Sequence, residues 1–412
     1  MIVHELFAKA ESLCDQSFRK IDEIALSNTA RVLDTFQKHA VAVRHFSPTT
    51  GYGYGDIGRD TLEAIYADLF HTEAAIVRPQ IASGTHALSL CFFGLLLPGD
   101  ELLYVSGAPY DTLGSVIGFA GERAGSLQEM GVGYAQVELN TAGQLDLPAI
   151  RAAMKPTTKV VAVQRSRGYS TRRSLNPIEL LPLKEMLLAD FPEAILMVDN
   201  CYGEFVQTGE PTDYGADICV GSLIKNPGGG LAPTGGYIVG KQKWIDRISY
   251  RLTAPAIGLE VGSYAASYQP FYQGLFIAPH VVAQALKTAV LASAVFTELG
   301  MQTTPPPEAS RTDIIQALTL GTPERLIAFC QGIQMASPVD SMALPEPWDM
   351  PGYQEQVIMA AGTFVAGASI ELSADAPMRA PYVAYLQGGL TYSHGKLALM
   401  RTLEHMMKMG CL

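Results

Sequence analysis

The middle of the chain alternates short apolar runs with helix-length segments, and this alternation constrains the fold more than any other feature. The runs that read as strands are ELLYVS (101–106), KVVAVQRS (159–166), AILMVDN (194–200), ADICVGSLIK (216–225) and GGYIVG (235–240). The helical segment PIELLPLKEMLLADF separates two of them. Apolar strands that alternate with helices form a mostly parallel sheet, because the connecting helices cover both of its faces. The sequence therefore predicts an α/β fold.

The pattern changes towards both ends of the chain, which predicts three parts. Residues 1–45 read as a helical N-terminal segment, with apolar positions among many charges. Residues 46–275 form the large domain, and residues 276–412 form a smaller α+β domain. In that last part we expect a helix over about 280–299 and strands near 357–363 and 366–373.

Composition and charge exclude several classes of protein. With 48% hydrophobic and 17% charged residues, the chain is too apolar and too weakly charged for a disordered protein. Its net charge of −11 and its lack of long Lys/Arg runs argue against a nucleic-acid partner. The most apolar stretch, 88–97, ends at Pro98 after ten residues, whereas a membrane span needs about 20. We therefore expect contact with neither nucleic acid nor membrane.

The N-terminus, the cysteines and the histidines bear on location and metal content. The first residues carry charges throughout and lack the apolar core of a signal peptide. The six cysteines form no CxxC pair, which favours reduced thiols in a cytoplasmic protein. The eight histidines include no HxxxH or HxH pair, so we expect no metal site.

A glycine-rich loop between two predicted helices matches a dinucleotide fingerprint by its letters. Gly53, Gly55 and Gly58 form G-x-G-x-x-G, and Glu73 follows 20 residues after Gly53. That fingerprint requires a strand directly before its first glycine, and here SPTT intervenes. An NAD-dependent oxidoreductase is therefore a remote alternative, and the loop is either a flexible connection or a binding loop of another kind.

Three further features each suit a ligand-binding or catalytic site, but none of them is specific for one when taken alone. Ser83, Gly84 and Thr85 precede a helical run, where free backbone N–H groups and hydroxyls suit a phosphate, although such residues also cap helices for structural reasons. Asp199 ends an apolar strand, where open α/β sheets bind ligands and where solvated loops also begin. Lys225 ends another strand just before NPGGG, and its poorly solvated ammonium suggests an available nucleophilic amine.

Together these features form the set that a pyridoxal phosphate (PLP) enzyme requires. Such an enzyme needs a phosphate cradle, an acid opposite the pyridinium nitrogen and a Schiff-base lysine. Here the phosphate turn comes first, Asp199 follows, and Lys225 comes 26 residues later with Ser222 three positions before it. The order and spacing of the set favour PLP far more than any single motif does.

The chain resembles a fold-type I PLP enzyme of the cystathionine γ-synthase class. More narrowly, it resembles the methionine γ-lyase-like or "aluminium resistance" branch, which concerns Cys/Met metabolism. The resemblance implies an aspartate aminotransferase-like fold, with a mostly parallel seven-stranded sheet in the large domain. It rests on the motifs GYGYGDIGRDTLE, RPQIASGTHAL, GAPYDTL, QRSRGY, VDNCYGEF, GSLIKNPGGGLAPTGGY and ELSADAPMRAPY, which span about residues 50–395.

For the cofactor, the resemblance implies a role for each matching residue. Lys225 would hold PLP as a Schiff base, and Asp199 would keep the pyridinium nitrogen protonated. Ser222 would bind the phosphate together with Ser83, Gly84 and Thr85.

The resemblance also implies roles around the cofactor. Tyr110 would stack on the ring and exchange a proton with the substrate. Tyr54 and Arg59 would cross from a neighbouring subunit to the phosphate, which makes a homodimer or homotetramer with shared active sites the expected assembly. Arg379 would clamp the substrate carboxylate, a bidentate role that suits a planar guanidinium.

The chain departs from better-known family members at two places. They carry Ser-Pro-x-Asn-Pro where this chain has VQRSRGY, so the asparagine that contacts the PLP phenolic oxygen is missing, and Gln164, Arg165 and Arg167 are the candidate replacements. The cysteine beside the stacking tyrosine of true methionine γ-lyases is also absent, and Thr112 stands near that place. Both departures bear on specificity for methionine.

The resemblance implies a carbon–sulfur lyase, or an enzyme that eliminates a related β or γ leaving group from an amino acid. Lys225 would remove the Cα proton, and Lys225 and Tyr110 would carry the further proton that a γ elimination needs. A PLP-dependent aminotransferase or aldolase is the main alternative. A non-catalytic protein with this fold is another, which the presence of both Lys225 and Asp199 disfavours.

Overall fold

The computed structural model describes residues 3–121, 123–170, 172–350 and 355–412, and its two sheets are connected by long helices. The helices are α1 (Val3–Lys38), α2 (Ile57–Leu69), α3 (Gly84–Leu95), α4 (Leu113–Ile117), α5 (Leu147–Ala153), α6 (Leu180–Asp190), α7 (Gln242–Leu252), α8 (Gln269–Glu298), α9 (Pro323–Met335) and α10 (Tyr392–Lys408). The strands are β1 (Ala74–Arg78), β2 (Glu101–Tyr104), β3 (Gly133–Gln136), β4 (Thr158–Gln164), β5 (Ile195–Asp199), β6 (Ile218–Ser222), β7 (Gly236–Gly240), β8 (Thr303–Thr304), β9 (Gln316–Thr319), β10 (Val357–Ala360), β11 (Ser373–Pro377) and β12 (Val383–Gln387).

The large sheet has seven strands in the order β1-β7-β6-β5-β4-β2-β3. The five strands from β6 to β3 run parallel to one another, and β7 is antiparallel to both of its neighbours. The central strands β5 and β6 are buried along their whole length, as expected for strands covered on both faces. The prediction of a mostly parallel α/β sheet is therefore confirmed.

The second sheet belongs to the C-terminal part of the chain and is antiparallel throughout. Its five strands have the order β10-β11-β12-β9-β8; α8 and α9 pack against it, and α10 packs on both of these helices. The predicted strand near 357–363 is present as β10. The predicted strand near 366–373 is wrong, because that segment consists of turns that return the chain to β11, where the strand begins at residue 373.

Helix α8 joins the two sheets and forms much of the core. It begins at Gln269, earlier than the sequence indicated, so the predicted domain boundary at 275 falls inside a continuous helix and stays a prediction. By length and composition α8 could span a membrane, a property that the search for apolar stretches overlooked. Most of its side chains are buried inside the protein, which is the usual position of a core helix.

The N-terminal segment forms helix α1, as predicted, and packs along α8. Lys287 of α8 pairs with Asp22 of α1 at 2.6 Å, and Lys396 of α10 pairs with Glu11 at 2.6 Å. Cys14 is buried at this contact, and all six cysteines of the chain are free thiols. The cytoplasmic location stays a prediction.

Candidate active site

The carboxyl ends of three neighbouring parallel strands meet at one edge of the large sheet. Gln164 ends β4, Asp199 ends β5 and Ser222 ends β6, and Gln164 is paired with Asp199 in the sheet register. All three residues line a cavity of about 180 Å³, to which Lys225 and the start of α3 also contribute. Parallel sheets bind ligands at this edge, so the topology brings the predicted residues together.

The phosphate turn forms the wall of this cavity at the N-terminus of α3. Ser83 is the N-cap, and its hydroxyl accepts a hydrogen bond from the backbone N–H of His86 at 3.0 Å. The Thr85 hydroxyl lies 2.9 Å from the Thr112 hydroxyl. A Cβ on Gly84 would lie 3.6 Å from the Cβ of Ser222, so the turn sits directly against the end of β6. Free backbone N–H groups and hydroxyls at a helix N-terminus form a suitable anion site.

Asp199 lies on the floor of the cavity and is buried. One of its oxygens accepts a hydrogen bond from the backbone N–H of Cys201 at 3.1 Å. Burial raises the pKa of Asp199, while the positive charge of Lys225 acts in the opposite direction. The carboxylate is thus a buried acceptor that faces a ligand site, as its position at a strand end predicted.

Lys225 lies in the same cavity, with its Nζ 4.0 Å from the ring centre of Tyr202. Burial by itself lowers the pKa of Lys225, but negative charge on Cys201, Tyr202, Asp199 and Glu204 outweighs this effect and raises it. The expectation of a weakly protonated amine is therefore wrong for the ligand-free chain. The sequence predicts Lys225 at the end of an apolar strand, but β6 ends at Ser222 and Lys225 lies in the turn that follows it. The sequence also does not show the acidic groups that surround the amine.

Tyr202 is a site residue that the sequence analysis missed. Its φ of +72° lies in the left-handed region, where a residue with a Cβ is strained by about 1–3 kcal/mol. This backbone turn places the ring against Lys225, and the side chain lies close to Ser369 of the C-terminal part. Its position directly after VDNC was the only available signal, and no sequence pattern predicts a left-handed tyrosine.

The three candidates for the PLP phenolic oxygen have different positions. Gln164 lines the cavity, and its Oε1 accepts a hydrogen bond from the backbone N–H of Tyr110 at 2.7 Å. Arg165 turns to the other side, where it donates to Asn200 Oδ1 at 2.7 Å and to the Gly203 carbonyl at 2.8 Å. The Arg167 guanidinium is enclosed and has no hydrogen-bond partner among the described residues. Gln164 alone of the three lines the cavity with Lys225.

Tyr110 lines the cavity, whereas three other predicted residues lie outside its lining. Tyr54 is 66% exposed on the surface loop before α2. Arg59 is buried beneath the same loop, where it donates to the Gly53 carbonyl at 2.8 Å. Arg379 lies at the mouth of a neighbouring cavity that it shares with Tyr110; it pairs with Glu355 at 3.4 Å and donates to the Tyr169 carbonyl at 2.9 Å.

The glycine loop does not have the context of a dinucleotide site. Gly53 and Gly55 have left-handed φ values of +69° and +64° in a turn, and the segment before them is a short 3₁₀ helix at Val43–Phe46. The first strand of the sheet, β1, comes after α2 and not before it. The strand–turn–helix arrangement that binds a pyrophosphate is therefore not formed by these glycines.

The sequence model of methionine gamma-lyase matches residues 3–407. The chain belongs to the methionine gamma-lyase family. The match covers both sheets and every predicted site residue, and it confirms the resemblance to fold-type I PLP enzymes.

Individual members of this family and its fold are also similar. The uncharacterized protein YnbB of Bacillus subtilis is 54% identical over 391 residues, 95% of this chain and 93% of that protein. A solved structure from Listeria monocytogenes, described provisionally as a cystathionine β-lyase involved in aluminium resistance, is 51% identical with a TM-score of 0.95, covering 97% of this chain and 99% of that one. The PLP-dependent protein YhfS of Escherichia coli is 17% identical with a TM-score of 0.63, covers 94% of this chain and 97% of that one, and shows the fold alone.

The residues of this methionine gamma-lyase family member fit the PLP that the family implies. The N-terminus of α3 and the hydroxyl of Ser222 lie together and suit an anion. Asp199 is a buried acid, and Lys225 supplies an amine in the same cavity. These are the three donor types that the phosphate, the ring nitrogen and the aldehyde of PLP require. Within the described residues no group of three or more His, Cys, Asp or Glu is arranged to hold a metal ion.

Proposed function

We propose that the protein is a PLP-dependent lyase that cleaves the bond between carbon and sulfur, or a related β or γ leaving group, in an amino acid. The observation that carries this proposal is the single cavity that contains Lys225, Asp199, Tyr110 and the N-terminus of α3. Membership of the methionine gamma-lyase family supports the reaction class.

The residues would divide the work as follows. When bound, PLP supplies an electron sink for the negative charge that develops at the substrate Cα. Ser83, Thr85 and Ser222 would bind its phosphate with the backbone of Gly84, and Asp199 would hold a proton on its ring nitrogen.

The remaining residues would act on the substrate side. Lys225 Nζ would accept the Cα proton, and the Tyr202 ring beneath it would limit the positions that this amine can occupy. Tyr110 would stack on the ring and transfer a proton to the leaving group, and Gln164 would contact the phenolic oxygen. Arg379 would bind the substrate carboxylate after it exchanges its pairing with Glu355. The products would be a thiol, ammonia and a 2-oxo acid, with one water consumed.

A substrate screen tests this function. Purified protein loaded with PLP is incubated with cystathionine, cysteine, methionine and homoserine derivatives, and 2-oxo acid and thiol are measured together. We expect equal amounts of both products from at least one sulfur amino acid, without an added amino acceptor. Turnover that depends on an added 2-oxo acid indicates an aminotransferase, cleavage between Cα and Cβ indicates an aldolase, and a protein that takes up no PLP contradicts the proposal.

We also propose that the active unit is at least a dimer with shared sites. Tyr54 is exposed on a loop that Arg59 supports from below, and this exposure supports a role for Tyr54 in reaching a second subunit. The Tyr54→Ala and Lys225→Ala variants are each expected to be impaired when expressed alone. Their co-expression should restore roughly a quarter of wild-type activity, because half of randomly paired dimers are hybrids with one intact site. No restoration, or a fully active monomer in sedimentation, would contradict sharing.

A further inference from the structure

A second cavity of about 290 Å³ opens from Lys225 towards the small sheet. Lys225, Tyr110 and Tyr202 line both this cavity and the one assigned to the cofactor. Beside Lys225 there is therefore room for the side chain of an amino acid, and for a leaving group on it, in a space bounded by the C-terminal part of the chain. We call this space the leaving-group cavity.

The register of the small sheet determines which side chains face this cavity. Asp375 of β11 is paired with Met359 of β10 and with Tyr385 of β12, and Ser373 is paired with Gln387. Side chains alternate along a strand, so Ser373 and Asp375 share one face while Ala374 and Ala376 face the core. Met359, Ser373, Asp375 and Gln387 all line the leaving-group cavity.

Asp375 is half-buried in this cavity and its hydrogen-bond partners are neutral. Gln387 Nε2 donates to its Oδ2 at 2.8 Å, and the Tyr169 hydroxyl also bonds to the carboxylate. Of the described residues that line the cavity, Asp375 alone is acidic and Lys225 alone is basic. A partly buried carboxylate without a cation is costly, so the charge balance depends on Lys225.

The reaction removes that balance. Lys225 has to be a neutral amine to accept the Cα proton, and in that state it supplies no ammonium to Asp375. The carboxylate then faces the substrate with only amide and hydroxyl partners. A positive charge on the substrate would replace the one that Lys225 has lost.

We propose that Asp375 binds a cationic group at the far end of the leaving group. The substrate class is thus L-amino acids whose sulfur substituent ends in an ammonium, with Met350 and Met359 lining the apolar stretch beside it. This proposal rests on the proposed lyase function and deepens it. Asp375 was not singled out from the sequence, although the alternation in SADAP marks a strand with one polar face.

A purely structural role for Asp375 makes a different prediction. Asp375 also holds Tyr169, whose ring lies 5.8 Å from that of Tyr110 between ring centres. If positioning of Tyr169 were its only role, loss of the carboxylate would impair all substrates equally, whatever their charge.

The test uses two nearly isosteric amino acids that differ in charge. S-(2-aminoethyl)-L-cysteine ends in an ammonium, and S-propyl-L-cysteine ends in a methyl group; the homocysteine analogues replace them if the enzyme eliminates from Cγ. We expect wild-type kcat/KM to favour the ammonium compound by roughly 10- to 100-fold, the range of a charge-assisted hydrogen bond. Asp375→Asn should abolish this preference and change the propyl compound only a few-fold. Ser373→Ala, which alters the same face without altering charge, should keep it.

A binding measurement separates this inference from the proposed function. The Lys225→Ala protein loaded with PLP lacks the proton acceptor, so calorimetry with each amino acid measures affinity without turnover. The ammonium compound should bind more tightly, and adding Asp375→Asn should equalise the two. Equal affinities of the Lys225→Ala protein for the two compounds would overturn the proposal, and this measurement needs no change at Asp375. Equal losses of kcat/KM for both compounds in Asp375→Asn would also overturn it. Failure to release 2-oxo acid from any sulfur amino acid would instead contradict the lyase function.

Discussion

Lys225→Ala is expected to lower kcat for 2-oxo acid release by at least about 10⁴-fold. The substitution removes both the amine that bonds to PLP and the group that accepts the Cα proton, and Lys225 is the one basic residue among the described residues lining the cofactor cavity. It also leaves the carboxylate of Asp199 without its cationic neighbour. The measurement is 2-oxo acid release at saturating substrate, together with the absorption spectrum of the loaded protein.

The spectrum distinguishes loss of chemistry from loss of folding. The wild-type protein should absorb near about 420 nm, as PLP does when it is bonded to a lysine, and the variant should lack this band while still binding PLP through the phosphate turn. Lys243→Ala is the matched control, since Lys243 is exposed on α7. Turnover or a 420 nm band that persists in Lys225→Ala would show that another residue holds the cofactor.

The sequence predicts the position of a site residue best where that position depends on a single strand or turn. Gln164, Asp199 and Ser222 are each the last residue of a buried strand, and parallel strands place such ends at one edge of the sheet. The phosphate turn is similarly local, because Ser83 caps the helix that follows it. For Asp199 and the phosphate turn, the apolar pattern and the polar residues at its ends were sufficient, whereas Ser222 was assigned by the family resemblance and Gln164 was one of three candidates.

The features that were missed depend on distant parts of the chain. Strand β1 pairs antiparallel with β7, and the paired residues lie more than 150 positions apart in the sequence. Strand β1 is also short and follows α2 closely, so the sequence pattern does not separate the strand from that helix. Asp375 reaches the site only because β11 pairs with two other strands of the small sheet. The raised pKa of Lys225 likewise results from the acidic groups of Cys201, Tyr202, Asp199 and Glu204, at the end of β5 and in the loop after it, none of which is near Lys225 in the sequence.

Asp199→Asn is the second substitution with a large expected effect. The amide has nearly the shape of the carboxylate but no negative charge, so it cannot favour a proton on the PLP ring nitrogen, and the cofactor becomes a weaker electron sink. We expect kcat to fall by about 10²- to 10⁴-fold, the range of a single acid–base contribution. PLP uptake should be retained, since Ser83, Thr85 and Ser222 are unchanged. Asp190→Asn, at the exposed end of α6, is the control and should keep full activity.

The same variant tests the electrostatics of the cavity by a second route. Asp199 is one of the negative groups that raise the pKa of Lys225, so removing its charge should lower that pKa. A neutral amine bonds to an aldehyde whereas an ammonium does not, so the pH at which ligand-free Asp199→Asn protein combines with added PLP should be lower than for the wild type. The rate of appearance of the lysine-bonded absorption band, measured across pH, gives this value directly. An unchanged pH dependence together with unchanged kcat would mean that Asp199 neither contacts the ring nitrogen nor controls Lys225.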